Sequence, residues 1–131
     1  SVLLAFMISQ RVFGIFVQRS HIDNCIEHLD SPMKVIEEIH RLLKVGGEVE
    51  VIVRYFTSPS AHHDPTHKTF YTVVSFAYYD PSHPIFIRYD YTKARFSVEN
   101  IVFHENLKSG FFKSRLVMFS NKWPSIYENC F

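Results

Sequence analysis

Apolar positions recur at helical spacing between residues 35 and 43, and from residue 48 the pattern changes to that of a strand. The positions on one helix face are Val35, Ile36, Ile39, Leu42 and Leu43. Charged residues fill the opposite face, as in a helix that packs on a sheet. Residues 48–55, Glu-Val-Glu-Val-Ile-Val-Arg-Tyr, are rich in β-branched side chains and predict a buried strand. The pattern therefore predicts half of a βαβ unit and an α/β fold.

Both ends of this helix carry sequence signals. Ser31 can accept hydrogen bonds from free backbone N–H groups, and Pro32 fits the first helical position, where no donor is needed. Lys44 suits the negative end of the helix dipole. Gly46 can adopt the left-handed conformation that often ends a helix. A return through Gly46 and Gly47 predicts a short connection to the strand.

The second half of the chain predicts a loop, a short helix and several strands. Residues 57–66 contain two prolines and several small polar residues, which predicts a loop without a regular element. Residues 69–79 are apolar and aromatic and predict a short helix from about Val73. Three later runs have strand composition, namely residues 84–91, 94–106 and 111–120. A turn at residues 108–110 would make the last two a hairpin, and residues 121–131 predict a short helical cap.

Length, charge and cysteine content limit the classes of function. The 131 residues suit a single domain, and 47% hydrophobic residues can form a core. A net charge of +1 gives no long-range field for a polyanion, so neither nucleic acid nor an anionic membrane is expected as a partner. The two cysteines, Cys25 and Cys130, show no metal-binding spacing. Few cysteines and no signal peptide predict a cytoplasmic protein.

The first 17 residues are apolar enough to raise the question of a membrane segment. Gln10 and Arg11 interrupt them, so neither half approaches the roughly 20 residues that span a bilayer. The positively charged start of a signal peptide is also missing. We predict one or two elements that are buried or face a partner, and no membrane association.

Several short motifs occur in a characteristic order. Residues 26–29 read Ile-Glu-His-Leu, residues 41–47 read Arg-Leu-Leu-Lys-Val-Gly-Gly, and residues 64–68 read Asp-Pro-Thr-His-Lys. Phe70 and the tail at residues 121–128 continue the series. Together they resemble the C-terminal half of a class I S-adenosylmethionine (SAM) dependent methyltransferase, of the type 11 kind that acts on small molecules.

The resemblance implies a fold and an activity. The fold would be part of a Rossmann-like methyltransferase sandwich, a strand-helix-strand unit followed by an antiparallel β hairpin. The chain would form one domain over residues 1–131, with residues 23–131 as the methyltransferase-like half and residues 1–22 as an unmatched apolar segment. The activity would be methyl transfer from the cofactor SAM to a small-molecule substrate.

Two features of the family are missing from the sequence. The family binds SAM with a Gly-rich turn after its first strand, whereas Gly14 is the only glycine before Gly46. The family also has an apolar strand just before the position of Asn24, where this chain has Gln-Arg-Ser-His at residues 18–21. We therefore expect a truncated methyltransferase that is inactive as this chain alone. The alternative is a non-catalytic remnant that acts by association, and in either case we expect a homo-oligomer.

The resemblance also assigns residues to the cofactor. Asp23, Asn24 and Cys25 would lie near the methionine part of SAM. Glu27 would bind the cofactor beside the transferred methyl group, with His28 as a catalytic residue there. The alternative is that Glu27 and His28 only cap the turn that follows.

The densest group of ionisable side chains is His62-His63-Asp64-Pro65-Thr66-His67. Imidazole and carboxylate groups can hold zinc, but Pro65 prevents a helix that would align His63 with His67, so no metal site is predicted. As a lid over the substrate, the segment would supply His63 or His67 as a general base. His62 and Asp64 would then contact the substrate together with Tyr55. A loop held by local hydrogen bonds is the remaining alternative.

Overall fold

The computed structural model describes residues 2–10 and 17–105. Four strands form one sheet in the order β2-β3-β1-β4. Their bounds are β1 Val2–Gln10, β2 Val17–Asp23, β3 Leu43–Arg54 and β4 Phe96–Glu105. β2 and β3 are parallel, whereas β1 runs antiparallel to both β3 and β4. The described residues therefore form an α/β structure with a mixed sheet.

A helix, α1 at Pro32–Leu42, connects the two parallel strands. This confirms the predicted strand-helix-strand unit and the predicted position of Pro32 at the start of the helix. Ser31 makes no side-chain capping hydrogen bond. The helix ends at Leu42, and β3 begins at once. Gly46 has the predicted left-handed conformation, with φ of 73°, but it lies inside β3, where the register with β2 shifts.

Strand β2 is the strand that the sequence analysis did not find before Asn24. It lies at an edge of the described sheet, and Gln18, Arg19 and His21 are exposed on it. Ile22 packs against the core. A strand with one neighbour and one solvated face needs few apolar residues, which explains why its composition is polar.

Strand β1 comes from the segment that matches no methyltransferase motif, yet it lies between β3 and β4. The strand predicted at residues 94–106 is confirmed as β4. Its partner among the described residues is β1. The predicted turn at 108–110, the strand at 111–120 and the terminal cap lie outside the described residues.

Two short helices replace predicted loop and strand structure. The prediction of no regular element at residues 57–66 was wrong, because α2 spans Pro59–His63 with the proline in its first turn. The prediction of a strand at residues 84–91 was wrong as well, since α3 spans Pro84–Tyr89. Nδ1 of His83 accepts a hydrogen bond from the backbone N–H of Ile85 at 3.2 Å and caps this helix. The predicted short helix near Val73 is present as a 3-10 helix at Ser75–Tyr79.

The core lies on one face of β3. Val49, Val51 and Val53 alternate along the strand, Tyr55 follows its last residue, and all four are fully buried. Ile36 of α1 is also buried in this cluster. The other buried members include Ile26, Tyr71, Phe76, Phe96 and Phe103. The core therefore fixes α1 and the segment at residues 71–79 against β3.

No helix among the described residues is both long enough and apolar enough to cross a membrane.

Candidate functional site

A cleft of about 530 Å³ opens beside the carboxyl ends of the parallel strands β2 and β3. Its lining residues are Asn24, His28, Arg54, Ser60, His63, Asp64, Pro65 and His67. Ligands of open α/β sheets commonly bind at this edge, because the loops that follow neighbouring parallel strands converge there. Asn24 follows β2 directly and Arg54 ends β3, so the sheet itself positions two sides of the cleft.

The chain turns sharply after β2. Asn24 has a left-handed backbone with φ of 45°, and its N–H donates to the carbonyl of Ile52 at 2.9 Å. Its side-chain amide donates to the carboxylate of Asp23. Cys25 carries a free, exposed thiol. Of the three residues predicted near the methionine part of SAM, Asn24 lines the cleft, and Asp23 and Cys25 do not.

A short 3-10 helix at Ile26–His28 follows this turn and carries Glu27 and His28. Glu27 is 1% exposed and is not among the residues that line the cleft. Its backbone carbonyl accepts hydrogen bonds from the N–H groups of Lys68 at 2.7 Å and Thr69 at 3.2 Å. These bonds hold the segment that contains His67 against the 3-10 helix.

A chain of three polar side chains orients His28. Oγ1 of Thr66 donates to Oδ1 of Asp64 at 2.6 Å, and Nδ1 of His28 lies 2.8 Å from the same hydroxyl oxygen. Because the hydroxyl hydrogen is already donated to Asp64, the hydroxyl oxygen accepts the hydrogen bond from Nδ1–H of His28. The lone pair of the His28 ring therefore lies on Nε2. The hydrogen bonds from the Thr66 side chain and backbone lower the pKa of the exposed Asp64 below its ordinary value.

His67 is oriented in the same way by a different acceptor. Its Nδ1 lies 2.7 Å from the carbonyl of Ala61, which can only accept, so Nδ1 carries the hydrogen and Nε2 the lone pair. Nε2 lies 4.0 Å from Oδ2 of Asp64. The rings of His28 and His67 meet edge to face with centroids 4.6 Å apart. Two imidazoles with fixed tautomers therefore stand side by side at the cleft.

Two residues predicted to contact the substrate lie elsewhere. Tyr55 is completely buried, and its ring packs against Phe56 and Phe103. His62 stacks on Phe70 and its Nε2 lies 2.6 Å from the carbonyl of Phe56. His62 thus fastens α2 to the end of β3, and neither residue is among those that line the cleft.

The sequence analysis missed two polar residues that line the cleft and one that orients His28. Arg54 and Ser60 line it, and Thr66 orients His28. Arg54 had been counted only as part of a strand, although its place at the carboxyl end of that strand was a usable signal. Thr66 lies in a predicted loop, and only the folded structure brings it to a residue 38 positions earlier.

The geometry permits proton transfer and cation binding. Each histidine offers an Nε2 lone pair that can accept a proton from a bound molecule. Glu27, His28 and His67 each offer a potential ligand atom, and these atoms lie within 4.8 Å of one another. This set differs from the His62–His67 run considered in the sequence.

Comparisons with protein-family models, curated proteins and solved structures gave no match.

Proposed function

We propose that this chain carries the acceptor-side part of a SAM-dependent methyltransferase-like domain that acts on a small molecule. The observation that supports the proposal is the composition of the cleft. Asn24, His28, His63, Asp64 and His67 were assigned to the cofactor, to catalysis or to the lid from two motifs that are far apart in the sequence, and they line one cleft beside β2 and β3. Asn24 and His28 lie between β2 and α1, and the parallel strand-helix-strand unit that contains them is consistent with a Rossmann-like sheet.

The cleft suits the chemistry of methyl transfer. The reaction needs a nucleophile held in line with the sulfonium methyl group and an acceptor for the proton that the nucleophile loses. In this proposal His28 or His67 accepts that proton at Nε2, because hydrogen bonds to Thr66 and Ala61 hold the opposite ring nitrogens. His63 and Asp64 belong to the lid segment over the substrate.

We propose further that this chain alone does not turn over SAM. Gly14 is the only glycine ahead of β2 and β3, so no Gly-rich turn is available to approach the cofactor. Each lost anchoring hydrogen bond weakens binding by about 0.5–1.5 kcal/mol, and several losses amount to orders of magnitude. A cytoplasmic location, inferred from the low cysteine content, belongs to the same proposal.

Calorimetric titration with SAM tests the proposal. We expect weak binding in the millimolar range that Asn24→Ala abolishes and His104→Ala, an exposed site on β4, leaves unchanged. Absence of any binding at millimolar SAM would contradict a methyltransferase-like site. SAM-dependent methylation by the purified chain, lost in His28→Ala, would contradict the inactivity.

Exposed apolar side chains favour one alternative, a module that acts by self-association. Ile87 is 72% exposed and Tyr91 58%, and the rings of Tyr89 and Tyr91 stack with centroids 5.3 Å apart. Such a patch on a small domain is typical of a contact surface. We expect light scattering to show a homodimer that Ile87→Glu dissociates, whereas Lys44→Glu, an exposed control, does not. A monomer at high protein concentration would contradict this alternative.

A further inference from the structure

We propose that Glu27, His28 and His67 form a binding site for Zn²⁺ at the wall of the cleft. Two imidazoles and one carboxylate are a ligand set that Zn²⁺ prefers. One potential ligand atom from each residue lies within 4.8 Å of the others. The proposal is separate from methyl transfer, because zinc binding requires no SAM and a histidine that binds zinc through Nε2 no longer accepts a proton there.

The buried carboxylate of Glu27 points independently to a cation. The residue is 1% exposed, and neither of its carboxylate oxygens has a hydrogen-bond partner among the described residues. Burial of a carboxylate without a partner is strongly unfavourable, and such groups in proteins are normally paired or bound to a metal. A cation between Glu27 and the two histidines removes this cost.

The hydrogen bonds of the two histidines leave the correct nitrogen for a metal. Ligating histidines usually donate their second N–H to a carbonyl or a carboxylate-linked group, which fixes the ring. His67 does so through Nδ1 to the carbonyl of Ala61, and His28 does so through Nδ1 to Thr66. Thr66 in turn donates to Asp64, so the threonine hydroxyl links His28 to a carboxylate. Both Nε2 atoms therefore remain as ligands.

The three ligand atoms must move closer together to bind zinc. Bonds of about 2.0–2.2 Å in a tetrahedral site put neighbouring ligand atoms about 3.3–3.5 Å apart. The ligand atoms lie within 4.8 Å of one another, so they must approach by no more than about 1–1.5 Å. The backbone bonds from Lys68 and Thr69 to Glu27 hold both segments together, so side-chain rotations supply the movement.

The charges at the site favour a cation. The number of protein ligands leaves one coordination position open. Asp64 lies 4.0 Å from Nε2 of His67 and adds a second carboxylate to that of Glu27, whereas the lining of the cleft contains one arginine, Arg54. Three protein ligands leave the fourth position of a tetrahedral ion for water or another donor, as in catalytic zinc sites. Because His28 and His67 line the cleft, that position is accessible to a small molecule with an oxygen or nitrogen donor.

Zinc titration of the tag-free full chain, stripped with EDTA, tests the site. We expect one Zn²⁺ per chain with micromolar or tighter affinity. Glu27→Gln and His67→Ala each remove a ligand and should weaken binding by at least about 100-fold, since even outer partners of ligands contribute about 10–100-fold. Thr66→Val removes the partner that orients His28 and should weaken binding about tenfold. His104→Ala, at an exposed position, is the matched control.

Thermal unfolding with and without zinc is a second test, which can be interpreted even if a variant is less stable. Without metal, Glu27→Gln should melt at or above the temperature of the unmodified chain, because it removes an unpaired buried charge. With zinc the order should reverse, since the metal binds only the folded site with its carboxylate intact. Three outcomes would each overturn the proposal: a dissociation constant for zinc above the millimolar range, zinc binding by Glu27→Gln or His67→Ala as tight as that of the unmodified chain, or tighter binding of Mg²⁺ than of Zn²⁺.

Discussion

Nδ1 of His28 lies 2.8 Å from the hydroxyl oxygen of Thr66, which joins the 3-10 helix after β2 to a loop 38 residues further along the chain. The same hydroxyl donates to Asp64, so a single threonine orders both a histidine of the cleft and the carboxylate beside it. The position of the histidine is thus set by a loop, and the loop in turn is held by the histidine.

Removal of the Thr66 hydroxyl should loosen this loop. Thr66→Val keeps the size of the side chain and deletes the bonds to His28 and Asp64. We expect the free energy of unfolding to fall by about 1–2 kcal/mol, because two side-chain hydrogen bonds at an exposed site are lost. Urea denaturation measures the change, with Thr57→Val, an exposed threonine nearby, as the control. Equal stabilities of the two variants would contradict the role of Thr66.

Truncation of Ile36 should be the most damaging small change on α1. Ile36 is buried in the cluster under the sheet, whereas Lys34 on the same helix is exposed. Ile36→Ala should lower the free energy of unfolding by about 2–5 kcal/mol through lost burial and a residual cavity. Lys34→Ala should change it by less than about 0.5 kcal/mol. A tolerated Ile36→Ala would show that α1 does not pack as described.

Substitution of Gly46 tests its left-handed backbone. A Cβ atom at this position would meet nothing within 4 Å, so any cost comes from φ alone. Gly46→Ala should lower the free energy of unfolding by roughly 1–2 kcal/mol, and Gly46→Asn by less, because asparagine tolerates this conformation better. Thermal unfolding of the two variants gives the order, and a less stable Asn variant would contradict the explanation.

Stability should fall on mild acidification because of His40. Burial against Phe96 lowers the pKa of His40 from 6.5, and the nearby positive charge of Arg95 lowers it further, opposed by a backbone hydrogen bond with Arg95. His40 lines a second cavity, separate from the cleft, and the charged groups that line this cavity with it are Glu37, Asp90 and Lys93. The unfolded chain binds the proton more readily than the folded chain, so the free energy of unfolding decreases as the pH falls below about 6.5.

Substitution of His40 isolates this effect. His40→Gln should reduce the dependence of stability on pH between about 6.5 and 5, above the range in which carboxylates are protonated. The same substitution at the exposed His104 is the control, and denaturant unfolding at several pH values measures both. A His40→Gln protein with an unchanged slope would contradict the assignment.

Local signals in the sequence predicted the strand-helix-strand unit, but some elements depend on their neighbours. Pro32 and the helical spacing of apolar residues predicted α1, and the run of β-branched residues predicted β3. The β-like composition of Pro84–Tyr89 favoured a strand, whereas the fold forms a helix capped by His83 and ended by Asp90 with φ of 40°. The polar strand β2 depends on pairing with β3, which no local pattern reveals.

Only part of the cleft lining was predictable from the sequence, and its arrangement was not. The motifs identified His28, His63, Asp64 and His67, which share the cleft. Glu27 was predicted beside the cofactor, and only the packing of the 3-10 helix shows that its carboxylate is buried. Periodicity reports which face of an element is apolar, and it does not report contacts between segments 38 residues apart.

The place of β1 in the sheet determines when this fold can form. Val2 at one end of the described residues pairs with Glu105 at the other, and β1, which lies between β3 and β4, precedes the other three described strands in the chain. The unit β2-α1-β3 needs only neighbouring residues and can assemble early, while β1 must wait for β4 to leave the ribosome. During synthesis the earliest strand is therefore among the last to gain both of its neighbours, and that interval is when the nascent chain is most open to capture by chaperones or by other chains.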